Sequence, residues 1–352
     1  MEKLWHRLGQ EFARSGHSVT LISRLCDGLP SRSDEEGVRH FRVPGYDQPS
    51  GALGLKIRDL QYTLRAWRVL PESDVVVTNT FWAPLVLGHR WPVYVDVERM
   101  PKGQMKLYRS ARRLRAPSAA VAAEILRDDS TAKSRVRVIP SPLPFVPQVP
   151  VSWDQKEQTI LYVGRLHPEK GIDLLLGAFA EARKGGSLRE WKLRLIGPVA
   201  AGKGGGGEVW LEGLKARIPQ EGVEWVGPIY DMAALSEEYH RATVFAYPSV
   251  AESGETFGLA PLEAMAWGCA PVVSDLACFR DYLCSGRNGL VFNHRGPGSV
   301  ERLAHTLIEA AAHSRELGNQ ALEVRSTHAP ERIAAEFIGD FRTLTELSRP
   351  SS

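Results

Sequence analysis

The chain has 352 residues, enough for two ordinary domains with their own cores. Its 44 basic and 41 acidic side chains give a net charge of +3, too even a balance to mark a nucleic-acid-binding protein. Four cysteines (Cys26, Cys269, Cys278 and Cys284) form no C-x-x-C pair and match no zinc spacing, so reduced thiols, mostly packing residues in a cytosolic protein, are expected. No apolar run approaches the length of a membrane span, and the charged, amphipathic start argues against a signal peptide. The first residues read as a helix, with Leu4, Leu8 and Phe12 on one side and Gly16 as its stop. Short apolar runs at 18–22, 39–43, 74–78, 92–96 and 135–139 read as strands, with helices over 55–68 and 102–115 between them. Pro140, Pro142, Pro144, Pro147 and Pro150 then interrupt the pattern and read as a linker. The alternation restarts with strands at 158–163, 192–196, 223–226, 243–247, 270–273 and 289–292. Ile172, Leu175, Leu176 and Phe179 mark one face of the first helix among them. The pattern predicts two doubly wound α/β domains, 1–147 and 148–330, facing an interdomain cleft. A segment 331–352 holds a last helix near 331–347 with apolar Ile333, Phe337, Phe341 and Leu344; packing on either domain is open, a return to the first included.

The richest stretch is 251–264, AESGETFGLAPLEA. It follows a strand that stops at Pro248, and Pro261 fits the first position of a helix running from about 260 to Gly268. Glu263 is then expected in the first helical turn and Glu255 in the loop before it. Bare backbone N–H groups at a helix start bind anions, and two acids stand beside them. A sugar nucleotide, anionic at one end and rich in hydroxyls elsewhere, suits such a place. In ILYVGRLHPEKGIDLLL a strand runs into Gly164-Arg165, and Lys170-Gly171 precedes a helix. Ligands of open α/β sheets bind beyond the carboxyl ends of strands, so Arg165 and Lys170 are placed to neutralise a diphosphate. Taken alone the two cations fit a solvated surface turn better; the glutamate segment in the same domain turns the balance to the ligand reading. The run Gly202–Gly207 lacks the ending of a P-loop and reads either as a flexible linker or as a loop bordering the nucleotide. Lys102, Lys106, Arg109 and Arg113 recur at 4-3-4 spacing, which puts them on one helix face for anionic lipid or a phosphorylated acceptor, or simply for water.

G-R-x4-K-G followed by E-x7-E around F-G-L resembles the retaining glycosyltransferases of the GT-B fold, specifically the large family four. The likeness runs almost continuously over 160–292, with further matching phrases at 226–228, 246–249, 268–273 and 288–291. It implies that Arg165 and Lys170 hold the donor diphosphate and that Glu255 binds donor-sugar hydroxyls. It also implies that backbone amides near Gly164, Phe257, Gly258 and Leu259 meet sugar and phosphate, that Glu263 grips the ribose, and that the loop from Gly227 and Pro228 to Tyr230 lines the base pocket. The implied activity is transfer of a hexose from a nucleotide sugar such as a UDP-sugar to a hydroxyl acceptor, in polysaccharide biosynthesis for instance, with no cofactor and no metal. No D-x-D motif is present to hold a metal ion.

The first domain departs from the family. Members open with a strand and a Gly-Gly loop, whereas here the first residues already read as the following helix, so a truncated reading frame is expected. A His common after the fourth strand has no counterpart in 94–99, where Asp96 and Glu98 stand. A sugar-nucleotide epimerase and a non-catalytic partner subunit of the same fold are the alternatives. A glycosidase pair and a nicotinamide dehydrogenase fit less well. Localisation is expected to be cytoplasmic, with peripheral contact at the inner membrane face through the basic helix as an option.

Overall fold

The computed structural model describes residues 2–46, 52–88 and 90–347. Unit 1 takes the chain up to Phe145 and again from His328, and unit 2 is Val146–Thr327. The crossing at Phe145–Val146 lies inside the proline-rich stretch, which carries no regular element.

Unit 1 opens with α1 (Glu2–Arg14), then β1 (Val19–Arg24), β2 (Arg32–Glu35), β3 (Val38–Val43) and α2 (Ala52–Val69). After these come β4 (Val76–Thr78), α3 (Ala83–Leu87), β5 (Val93–Asp96), β6 (Arg113–Ala116), α4 (Ala119–Asp128) and β7 (Val136–Val138). Its strands form two sheets, β1-β3-β2 and β4-β5-β6-β7. The second is wholly parallel, and β2 alone of these strands runs antiparallel to its neighbour. Helix α1 serves both sheets. Its Gly9 faces Val19, Leu21 and Val38, and Trp5 Nε1 donates to Asp96 at the end of β5, at 2.9 Å.

The expected helix over 102–115 does not form. The chain makes a single 3-10 turn at Met105–Leu107, and its last part is strand β6. Within Arg113-Leu114-Arg115-Ala116, Leu114 and Ala116 enter the apolar core, while both arginines are buried on the other side of the strand. This is the two-residue alternation of a strand, disguised because the polar positions are buried and ion-paired. Lys102, Lys106 and Arg109 are exposed but share no helix face, and Arg113 pairs with Asp340 at 2.6 Å inside the unit. The predicted basic helix face is therefore not formed. Helix α4, absent from the sequence reading, is capped by Ser118, which accepts from Val121 N.

Unit 2 continues with β8 (Glu157–Val163), α5 (Ile172–Lys184), β9 (Lys192–Ile196), α6 (Glu208–Arg217), β10 (Val223–Gly227), α7 (Met232–Arg241) and β11 (Ala242–Tyr247). It ends with α8 (Leu259–Ala266), β12 (Ala270–Ser274), β13 (Leu290–Phe292), α9 (Ser299–Ala312), α10 (Ser314–Ala321) and α11 (Val324–Thr327). Its six strands make one parallel sheet in the order β10-β9-β8-β11-β12-β13. All residues of β11 and β12 are buried, as expected for inner strands covered on both faces. The strand order reverses between β8 and β11, and the crevice of a doubly wound sheet opens at the carboxyl ends of such a pair.

The last helix, α12 (Pro330–Leu347), returns to unit 1. Ile333, Phe337 and Leu344 share a core with Leu4, Leu8 and Phe12 of α1, and Phe341 packs against it. Asp340 fastens it further, accepting from Tyr94 Oη at 3.1 Å and pairing with Arg113.

Candidate functional site

The carboxyl ends of β8 and β11 carry the predicted residues of unit 2. Gly164 and Arg165 leave β8, a 3-10 turn at Pro168–Lys170 follows, and Gly171 turns the chain into α5. Gly171 has φ +67°, and a Cβ there would stand 2.1 Å from the Pro248 carbonyl oxygen beyond β11. No side chain fits that approach, which brings the two loops together. At the end of β9, a Cβ on Gly197 would stand 1.7 Å from the Gly164 carbonyl oxygen, so bare backbone also lines the neighbouring strand ends.

The contact between the loops is chemical as well as steric. Lys170 Nζ donates to Glu255 Oε2 at 2.7 Å, and both side chains are buried. The Tyr247 hydroxyl also bonds Glu255, and Lys170 Nζ lies 5.5 Å from the Tyr247 ring centroid. Burial and then the charge of Glu255 raise the Tyr247 hydroxyl well above its ordinary range, so it stays a donor. Tyr162 stacks on Tyr247 with centroids 5.7 Å apart and rings within 9° of parallel. One lysine hydrogen is spent on Glu255; an ammonium has two more for an incoming anion.

Arg165 is half exposed. Its guanidinium pairs with Glu169 Oε1 at 2.7 Å and donates to the Gly204 carbonyl. The glycine-rich run thus borders this arginine: a 3-10 turn at Ala201–Lys203 leads into it, and Lys203 Nζ reaches the Tyr230 hydroxyl at 3.0 Å. Gly227 ends β10, its carbonyl accepting from Gly197 N at 3.0 Å, and Pro228 follows.

Helix α8 begins at Leu259, so Pro261 is its third residue rather than its first. The position is still free of cost, because the first four N–H groups of a helix have no partner within it. The helix ends at Ala266, two residues before Gly268. Glu263 consequently lies in the second turn, not the first. Its carboxylate accepts from Tyr239 Oη at 3.0 Å, and burial pushes its pKa up to about 7, against the lowering effect of that bond. Gly258 caps α8 and Leu259 is its exposed first residue. Phe257 is buried, with its ring 5.3 Å from that of Tyr282, so only its backbone can face a ligand.

Structure brings Lys170 and Glu255 into direct contact and joins Arg165 to the same turn through Glu169. Glu263 and the Gly227–Tyr230 loop stand on other elements, with their own partners. Sequence reasoning gave no role to Tyr247, Glu169 or Lys203. The i, i+4 spacing of Arg165 and Glu169 was a visible signal for one of them.

Among the described residues, no group of three His, Cys, Asp or Glu side chains is arranged to hold a metal ion, and no helix is long and apolar enough to cross a membrane. All four cysteines are free thiols; Cys269 and Cys278 are buried, Cys26 and Cys284 exposed.

Two Rossmann-like units built on mainly parallel sheets define a protein of the GT-B class. The fold matches sucrose-phosphate synthase from Thermosynechococcus elongatus with a TM-score of 0.79 at 21% identity, covering 97% of this chain and 93% of that one. It also matches Anabaena HepE, solved with UDP and glucose, with a TM-score of 0.70 at 16% identity, covering 97% and 95%. Residues 148–324 match the family model for glycosyl transferases group 1, and residues 1–144 match that for glycosyltransferase family 4. The chain belongs to the group 1 glycosyl transferases. Among curated relatives, D-inositol 3-phosphate glycosyltransferase 2 of Catenulispora acidiphila is 31% identical over 170 residues, 47% of this chain and 38% of that protein. The D-inositol 3-phosphate glycosyltransferase of Streptomyces avermitilis is 26% identical over 232 residues, 62% and 49% respectively. These matches span about half of those relatives' length or less.

Proposed function

We propose that the chain transfers a hexose from a nucleotide diphosphate sugar to a hydroxyl acceptor with retention of configuration. The observation that carries this reading is the buried Lys170–Glu255 pair at the switch point of unit 2, with Arg165 beside it. A carboxylate only accepts hydrogen bonds and so suits sugar hydroxyls; the cations suit a departing diphosphate. The start of α8 adds free amides for a phosphate oxygen. With Arg165, Lys170 and these amides meeting the leaving charge, the reaction is expected to run without a divalent ion. Glu263 and the loop from Gly227 to Tyr230 take the ribose and base. A uridine base is the first choice, since solved proteins of this fold carry UDP.

Thermal shift with UDP-glucose, UDP-N-acetylglucosamine, ADP-glucose and GDP-mannose should single out one donor, which then releases its nucleoside diphosphate when a hydroxyl acceptor is supplied. Chelation should leave that rate unchanged. Conversion of the donor to another sugar nucleotide without acceptor would instead indicate an epimerase, and binding without turnover a non-catalytic subunit. Stabilisation by none of the four donors would count against the reading.

Glu263 adds a pH signature. With its pKa at about 7, it becomes a pure acceptor for ribose hydroxyls only above neutrality. Affinity for the nucleotide sugar, whose phosphate diesters do not titrate there, should rise between pH 6 and pH 8, on the order of several-fold, as that carboxyl ionises. Glu263→Gln should flatten the profile; a slope that survives in this variant assigns the titration elsewhere.

A further inference from the structure

Between β11 and α8 the chain carries Glu255 on a loop that is tied at both ends. Near its start, Val250 N and Ser249 Oγ donate to the Glu169 carbonyl at 2.9 and 3.3 Å. At its end, the Gly258 carbonyl accepts from Tyr282 Oη at 2.8 Å. Between the ties, Glu252, Ser253 and Gly254 are exposed. Here the backbone turns on itself, with Gly254 N and Glu255 N donating to Ala251 O at 3.0 and 3.1 Å.

Glu252 reaches from this turn to the segment that follows β13. His294 Nε2 lies 3.0 Å from Glu252 Oε1, and since a carboxylate only accepts, that nitrogen carries the proton. Arg295 grips the same carboxylate, with Nε 2.7 Å from Oε1 and Nη2 2.9 Å from Oε2. Both partners are fixed independently of the loop. The His294 side chain is only 4% exposed. Arg295 also donates to the Asp275 carbonyl beyond β12, at 3.0 Å. Arg302 of α9 donates to the carbonyls of Asn293, Arg295 and Pro297, which pins the segment carrying both residues. An exposed ion pair contributes little to overall stability. Its value here is geometric: it ties the free middle of the loop to a rigid rim, a few residues before Glu255.

We propose that Glu252 is a positioning residue, and that its clasp by His294 and Arg295 sets the place of Glu255 against a donor sugar. The inference rests on the glycosyl-transfer reading of Glu255. Loss of the clasp leaves the loop's two end ties, Arg165 and the start of α8 untouched. Diphosphate binding should therefore survive while sugar recognition fails.

The test is calorimetry and turnover on the full chain with Glu252→Ala and, because a truncated loop residue could act by misfolding, with the exposed Arg295→Ala as a second variant. The probes are the nucleotide sugar that most stabilises the wild type and its nucleoside diphosphate, UDP-glucose and UDP in the first instance. Affinity for the diphosphate should stay within about twofold of wild type, as for loss of an exposed pair. The Kd ratio of sugar nucleotide to diphosphate should rise about tenfold and kcat should fall by a similar factor, the scale of a small misplacement of a reacting group. Glu252→Gln, which keeps an acceptor for His294, should recover part of both. Equal weakening of the two ligands, or no change in either, overturns the clasp. A wild type that binds neither ligand overturns the glycosyl-transfer reading itself.

Discussion

Lys170→Ala and Glu255→Ala are each expected to lower kcat/KM for glycosyl transfer by about 10²–10³-fold, the loss seen when one preorganised charge-stabilising contact is removed. Each single change also leaves a buried charge without its partner. Both residues are buried, with the charged groups 2.7 Å apart, so each variant should lose about 3–5 kcal/mol of stability in unit 2. Lost activity alone would then be ambiguous. The double variant Lys170→Met with Glu255→Gln resolves it. It removes both charges together, and the introduced amide would keep an acceptor for the Tyr247 hydroxyl. It should recover to within about 2 kcal/mol of wild type, because replacing a buried pair as a whole is close to neutral. It should stay as inactive as the worse single variant, since residues acting as one unit do not lose activity additively. Kinetics on the same preparations used for denaturation decide the matter. Near-normal turnover in the double variant would remove Lys170 and Glu255 from the chemistry.

Unit 2 was legible because its inner strands are continuous apolar runs and its candidate site residues lie in the loops between such runs. Strands at 192–196 and 243–247 were placed to within a residue, and the Arg165, Lys170 and Glu255 segments fell at the strand ends that the sheet order makes a binding edge. The partners of those residues were not legible. That Tyr247 bonds Glu255, or that Gly204 meets Arg165, depends on register and loop path rather than local pattern. Helix phase at Pro261 slipped by two positions because the chain enters α8 through a left-handed Gly258, which lets the helix begin earlier than proline alone suggests. Unit 1 failed where charge is buried. In 102–115 the basic residues fall at helical spacing, but Gly103 takes φ +95° and the strand at its end hides two arginines. A buried arginine looks the same in sequence as a solvated one; only its acid partners, Asp340 and Asp96, distinguish it, and they are distant in the chain. The polar strand β2 offered no apolar signal at all.

Arg115→Met is expected to be the most damaging single change in unit 1. Arg115 is fully buried and donates four hydrogen bonds to a compact set of acceptors: Nε to the Ile139 carbonyl at 2.7 Å, Nη1 to Asp96 and Glu98 at 2.8 Å each, and Nη2 to Ser141 Oγ at 3.1 Å. Methionine fills much of the space but supplies none of this, so two carboxylates lose their counter-charge; about 3–5 kcal/mol should be lost. Arg115→Lys keeps the charge but not the fork, and should fall between. The cluster holds two acids for one base, and this gives the loss a pH signature. Burial, then the charge of Asp96, pushes the Glu98 pKa up to about 7 despite Arg115. The folded value lies above the ordinary 4.5, so the folded state binds more protons than the unfolded state between these values. Stability of unit 1 should therefore decline as pH rises from about 4.5 to 7 and level off above, an effect on the order of 3 kcal/mol if Glu98 acts alone. Glu98→Gln should remove most of that slope and raise stability at pH 8. Arg115→Met should steepen the slope and extend it to higher pH, because the arginine is what holds the Glu98 pKa as low as it is. Denaturant unfolding of the three proteins at pH 5, 6, 7 and 8, followed by a probe in unit 1, measures both. An Arg115→Met protein as stable as wild type at pH 8 would mean that the arginine does not serve these carboxylates, and a slope unchanged in Glu98→Gln would place the titrating group elsewhere.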